Sequence, residues 1–203
     1  MSKVKLLLLG DCQSTTDFLY RFNRAAVARA FAAGVPVNES AKYARDCSVS
    51  SASVQVVTRA KMLNEVGELQ CFNGKLPDGI ILVYDVTSPV SFEGVEQALE
   101  ELMMQEEPAE CKLCVAADTG VLGFDAAIRM VSADEGRALA RRFSASFFEV
   151  STESDREVDR VVFRLVRECL ALTGDGSSGA DIEEGLGNWG RTLTGKISRI
   201  FRK

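Results

Sequence analysis

The residues best placed to do chemistry lie between Gly10 and Asp17, in the run GDCQSTTD. A backbone that cradles a polyphosphate uses the spacing G-x-x-x-x-G-K-[ST]: its glycines let the chain wrap the anion, its lysine neutralises the charge, and its hydroxyl ligates magnesium. Gly10 holds the first position, but Thr15 stands at the second glycine, Thr16 at the lysine and Asp17 at the hydroxyl. The place for an anion is marked and the cation is missing. Within this stretch Ser14 or Thr15 can cap a helix, with Asp17 in its first turn and Asp11 adding built-in negative charge.

Other chemistries are excluded or weakened by composition. The chain has no histidine, which removes Ser-His-Asp catalysis, His-ligated zinc and a histidine pH switch. Cys111-x-x-Cys114 has metal-ligand or redox spacing, but one such pair is half a zinc site and Cys114 falls inside a strand pattern, so buried structural thiols are the preferred reading. The net charge of −5 argues against nucleic acid as a partner. The six cysteines are scattered, the leucine run at 6–9 is too short for a signal peptide, and no apolar stretch is long enough to span a bilayer; these features predict a reducing, cytoplasmic setting.

The elements that must position these residues alternate between strand and helix patterns. Val4–Leu9 is a short apolar run that ends at Gly10, and a helical pattern over Thr16–Ala33 follows, with Phe18, Leu19 and Phe22 on one face. Residues 36–53 are polar and serine-rich, without a clear period, and Val54–Val57 reads as a strand. Gly79–Val86, GIILVYDV, is apolar throughout, as a parallel strand covered on both faces must be. A helix over Ser91–Gln105, a strand over Lys112–Ala117, a helix over Ser132–Phe143 opened by the capping box Ser132-x-x-Glu135, a strand over Ser146–Val150 and a helix over Asp155–Leu172 complete the pattern. This alternation predicts an α/β domain over residues 1–172.

The segments GIILVYDVTSPVSFEGVEQALEEL (79–102), RMVSADEGRALARRFSASFFEVS (129–151) and KVKLLLLGD (3–11) together resemble the Rab/Ras small GTPases. The resemblance implies the fold of that superfamily: an open, mostly parallel six-stranded sheet with helices on both faces, of the P-loop NTPase type. It also implies GTP or GDP with magnesium as the family's ligands, and here each motif departs at its active position. The phosphate loop reads Gly10, Thr15, Thr16, Asp17. Val35-Pro36-Val37 stands where a switch threonine belongs. The Asp-x-x-Gly motif becomes Thr58-Arg59-Ala60-Lys61, and its following glutamine becomes Met62. The guanine-reading Asn-Lys-x-Asp becomes Ala117-Asp118-Thr119-Gly120, and Ser-Ala-Lys becomes Ser151-Thr152-Glu153. The expectation is a pseudo-GTPase: no catalytic residue, no metal, no bound nucleotide, and a role in binding proteins in intracellular transport. A divergent GTP-binding switch is the alternative.

Past the domain, residues 173–185 form an acidic, glycine- and serine-rich linker. Residues 186–203 carry five basic side chains and no acidic one, and removing that charge from the net −5 leaves the remainder at −10. Trp189, Leu193, Ile197, Ile200 and Phe201 fall on one helical face, with Lys196 and Arg199 among the residues opposite. A basic amphipathic segment suits a partner protein's groove, its own domain, or an anionic membrane surface as a peripheral contact; a disordered tail is the remaining reading. The last cysteine is Cys169, so the prenylated cysteines usual in Rab proteins are not expected.

Overall fold

The centre of the sheet is the strand that is apolar on both faces. A computed structural model of the chain describes residues 2–32, 44–47, 52–58, 77–104, 111–120 and 128–173. In chain order its elements are β1 (Ser2–Gly10), α1 (Cys12–Ala32), β2 (Ala44–Cys47), β3 (Ala52–Thr58), β4 (Gly79–Asp85), α2 (Pro89–Met103), β5 (Lys112–Asp118), α3 (Ala133–Arg142), β6 (Ser146–Val150) and α4 (Asp155–Thr173). Among the described residues the strands form one six-stranded sheet in the order β2-β3-β1-β4-β5-β6. All neighbours pair in parallel except β2 with β3.

Two apolar layers cover the sheet. On one face Leu6, Leu8, Ile81, Val83, Cys114 and Ala116 pack with Phe18 and Phe22 of α1 and with Val158, Val161, Val162, Leu165 and Val166 of α4. On the other, Leu7, Leu9, Ile80, Leu82, Val115 and Ala117 pack with Val95, Ala98 and Leu99 of α2 and with Leu139 and Ala140 of α3. Successive strand residues alternate between the two layers, so the covered stretches Leu6–Leu9 of β1, Ile80–Val83 of β4 and Cys114–Ala117 of β5 are apolar without a break. Each such fully buried aliphatic side chain is worth about 1.5–3 kcal/mol.

Local signals fix most boundaries. Ser88 caps α2, accepting from the Ser91 N–H, and Pro89 occupies the first helical position, where its missing donor costs nothing. At α3 the capping box is complete: Ser132 Oγ accepts from the Glu135 N–H at 3.2 Å, and Glu135 accepts from the Ser132 N–H at 2.8 Å. The Ser132 hydroxyl, donating to the same carboxylate at 2.6 Å, together with the Ser132 N–H holds the Glu135 carboxyl below its ordinary pKa. Strand β2, ARDC, falls in the stretch that shows no period; it is an edge strand of four residues, and an edge needs no apolar alternation.

One element differs from expectation where it matters most. Helix α1 begins at Cys12, not near Thr15 or Thr16. The turn expected between β1 and α1 has been wound into the helix.

Candidate functional site

The strand order reverses between β1 and β4, and in an open α/β sheet the crevice beyond the carboxyl ends of the strands at such a point is where ligands bind. Three segments converge there: Gly10–Asp17 after β1, Asp118–Gly120 after β5, and Ser151–Ser154 after β6. Gly10 has φ of 137°, and a Cβ at that residue would run into the Val83 carbonyl of β4, so only glycine lets β1 pass this close. The chain then turns sharply, with the Asp11 N–H donating to the Val83 carbonyl at 3.3 Å.

Asp11 caps α1. Its Oδ2 accepts from the N–H groups of Gln13 at 3.0 Å and Ser14 at 3.1 Å, the donors that an anion at a helix N-terminus would take. This corrects the expectation that Ser14 or Thr15 is the cap. Thr15 and Thr16 lie inside the first turns, where their hydroxyls donate back to the carbonyls of Asp11 and Cys12 at 2.7 Å each. Asp17 does not close a capping box; its Oδ2 accepts from Gln13 Nε2 at 2.8 Å, one turn back along the helix. Between Gly10 and Tyr20 the sequence offers no lysine or arginine.

Asp118 joins the three segments. It is 1% exposed at the end of β5. Its Oδ1 accepts from the Gly120 N–H at 2.9 Å and the Thr152 N–H at 3.2 Å, while Thr152 Oγ1 lies 2.9 Å from Oδ2. The Ser14 side chain of α1 faces this carboxyl and helps to lower its pKa. Burial pushes this carboxyl above the ordinary aspartate pKa, and those donors pull it partway back. Ala117, aligned by resemblance with the asparagine of the guanine-reading motif, does not reach the crevice. It is a core residue of β5 on the α2/α3 face, and the residue that reaches the loops is Asp118.

Two donors of the loop after β6 are spent in the same way. Ser151 N–H donates to Glu157 at 2.8 Å, and Ser151 Oγ accepts from the Glu153 N–H at 3.3 Å. At the end of β4, Asp85 accepts from the Thr87 N–H at 2.7 Å. Asp11, Asp85 and Asp118 thus stand at the ends of three adjacent strands, each bent back onto a backbone N–H two residues ahead. The crevice carries carboxylates that consume donors, where a phosphate site presents free donors and a cation.

The structure therefore gathers Gly10, Thr15, Asp118, Gly120, Ser151 and Thr152 around one crevice and sets Thr16 and Asp17 on the outer side of α1. The switch and Asp-x-x-Gly positions Val35–Val37 and 59–62 lie outside the described residues, as do Trp189, Leu193, Lys196, Ile197, Arg199, Ile200 and Phe201 of the tail. Sequence reasoning took Asp118 for a degraded base-reading position and missed its part as a hub. The available signal was an aspartate closing an apolar strand just before Thr119-Gly120, the composition of a side-chain-closed turn. The cysteine pair shows no ligand character. Cys114 is fully buried in β5 with its thiol pushed far up by burial, and burial raises Cys111 to about 11. No described helix is long and apolar enough to cross a membrane.

A family model described as Ras family matches residues 5–171. The Ras-related protein SEC4 of Saccharomyces cerevisiae is 31% identical over 119 residues, covering 54% of this chain and 53% of SEC4. The Ras-related protein Rab-13 of Rattus norvegicus is 32% identical over 101 residues, 50% of this chain and 48% of Rab-13. A Ras-like protein of Laccaria bicolor is 32% identical over 91 residues, 45% of this chain and 42% of its own length. The chain matches about half the length of each of these relatives. With the family model spanning nearly the whole domain and the sheet built as described, this chain belongs to the Ras family, within the small GTPase superfamily.

Proposed function

We propose that this chain is a Rab-like domain that neither binds nor hydrolyses GTP and serves as a protein-binding module or fixed subunit of an intracellular transport assembly. The observation that carries this reading is the start of α1. A phosphate loop must leave its N–H groups pointing at an anion, and here the Asp11 carboxylate takes those of Gln13 and Ser14. A triphosphate at this place meets the fixed negative charge of Asp11 with no lysine beside it, so the residues present do not suit GTP or its magnesium. The base-side loops support the same reading, because Asp118 occupies the donors of Gly120 and Thr152. With the nucleotide's positioning work done by side chains, the crevice holds one conformation and suits a fixed subunit better than a switch.

The transport setting comes from the Rab resemblance, and a cytoplasmic location with peripheral membrane contact comes with it. Val90, Ile128 and Met130 are exposed, and the Met130 N–H bonds to the Val86 carbonyl just past β4, so this end of the domain offers apolar side chains to a protein partner. Purified full-length protein, denatured and chromatographed for nucleotides, is expected to release no guanine nucleotide. Stoichiometric GDP or GTP in the supernatant would instead make the chain a nucleotide-binding switch with an atypical phosphate loop.

A further inference from the structure

The exposed stripe of α2 combines two features that a solvated helix does not need together. Glu93, Glu96 and Glu100 follow one another at three- and four-residue spacing, and the same line ends at Met103 and Met104. The two methionines are 51% and 74% exposed. The helix has no basic residue, and of its glutamates Glu96 and Glu100 share a single cation, Arg142, at 2.7 Å each. Soft, adaptable methionines beside three carboxylates, two of them sharing one cation, form a surface that accepts a basic amphipathic helix.

The chain carries a segment of that chemistry. Residues 186–203 have Trp189, Leu193, Ile197, Ile200 and Phe201 at one-face helical spacing and five basic side chains with no acidic one. The topology puts the two within reach. Both α2 and α4 run antiparallel to the strands and end at the amino end of the sheet. Cys169, near the end of α4, donates to the Asp78 carbonyl at 3.3 Å, beside the start of β4, the strand that α2 covers from the opposite face. The axes of two helices on opposite faces of a sheet lie roughly 20 Å apart, and a linker joining them has to pass round the amino end of the sheet. Twelve residues, 174–185, span up to about 40 Å when extended.

We infer that residues 186–203 dock in cis on the Glu93–Met104 stripe of α2, the apolar face of the tail covering Met103 and Met104 and its basic residues meeting the glutamates. The docked tail occupies a surface that a partner bearing a basic amphipathic helix would otherwise use, so such a partner binds by displacing it. The inference is independent of whether the crevice holds a nucleotide.

Trp189 is the only tryptophan in the chain, so its fluorescence reports the tail directly. In the full-length protein at low ionic strength its emission is expected to be blue-shifted and shielded from acrylamide, to the same degree at all protein concentrations. Raising the salt releases it, because the charge pairing is at the surface. The double variant M103Q/M104Q, at exposed positions outside the core, loses the shift, and so does K196E/R199E, which leaves the folded domain untouched and serves should the first fail to fold. A solvent-like tryptophan in the unaltered protein overturns the inference, as does a blue shift that survives both double variants. A shift that grows with protein concentration would assign the contact to a second copy, and one that needs phosphatidylserine vesicles would assign it to a membrane; either result overturns docking in cis.

Discussion

Burial raises the pKa of Asp118, and the donors of Gly120 and Thr152, with a smaller contribution from the Ser14 side chain, lower it again without restoring it. The folded carboxyl therefore keeps its proton to higher pH than the unfolded one, which titrates at about 3.9. The sign follows from linkage: the folded state gains from protonation of this group, so its contribution is most favourable below the unfolded pKa and weakens as pH rises through the folded value. Asp118→Asn keeps an acceptor for the backbone donors and cannot ionise, so urea unfolding should show its stability rising relative to the unaltered protein as pH is raised above about 4. Asp118→Ala strands those donors and should cost about 1–3 kcal/mol at every pH. The two aspartates near the start of α1 separate in the same assay. Asp11→Ala removes the cap and should cost about 1 kcal/mol, with Asp11→Asn close to neutral. Asp17, whose partner is one exposed glutamine a turn away, should lose no more than about 0.5 kcal/mol on change to alanine. Equal losses at the two sites would contradict the assigned cap.

At the scale of elements, the distinction between loop and helix at residues 12–16 is open to substitution. In a phosphate-wrapping loop glycine at residue 15 is an advantage, whereas in the first turns of α1 it is a cost. Thr15→Gly should therefore be about 1 kcal/mol less stable than Thr15→Ala, and a more stable glycine variant would show that the segment is a loop. Where α3 crosses the sheet, a Cβ at Gly136 would press on Tyr84 Oη and the Phe147 ring, so Gly136→Ala should cost about 1–3 kcal/mol. These two places also mark what sequence could and could not disclose. The unbroken apolar runs of β1, β4 and β5 and the capping box at Ser132 are local signals, each resting on residues a few positions apart, and they specify strands, faces and boundaries before any contact is known. The start of α1 depends instead on Asp11 winning Gln13 and Ser14 N–H groups that a bound anion would otherwise claim, a competition between states of one backbone. The Asp118 hub joins residues 14, 118 and 152, whose meeting is created by the sheet order and leaves no periodic trace. Strand β2, polar in sequence and at the edge of the sheet, carries no apolar pattern to read.

For the molecule as a whole, the question is what supplies the stability of its crevice. A nucleotide-dependent relative draws folding free energy from its ligand, since whatever binds only the native state stabilises it by mass action. Here the three segments that would surround a ligand are tied by Asp11, Asp118 and Glu157, and the apolar layers on both faces of the sheet close without help. Thermal unfolding of the full-length protein, followed by circular dichroism so that the tail tryptophan plays no part, therefore ought to give one midpoint with or without excess GDP or GTP and magnesium. The contrast is large enough to measure. A ligand present at about 1,000 times its dissociation constant adds about 4 kcal/mol, which for a chain of this size raises the midpoint by roughly 8–16 °C. A shift of that size with guanine nucleotide, absent with adenine nucleotide, would show that the carboxylates of the crevice yield to a ligand and would restore the chain to the nucleotide-binding members of its family. An unmoved midpoint, together with the cost expected for Asp118→Ala, would locate the crevice's stability in its own side chains.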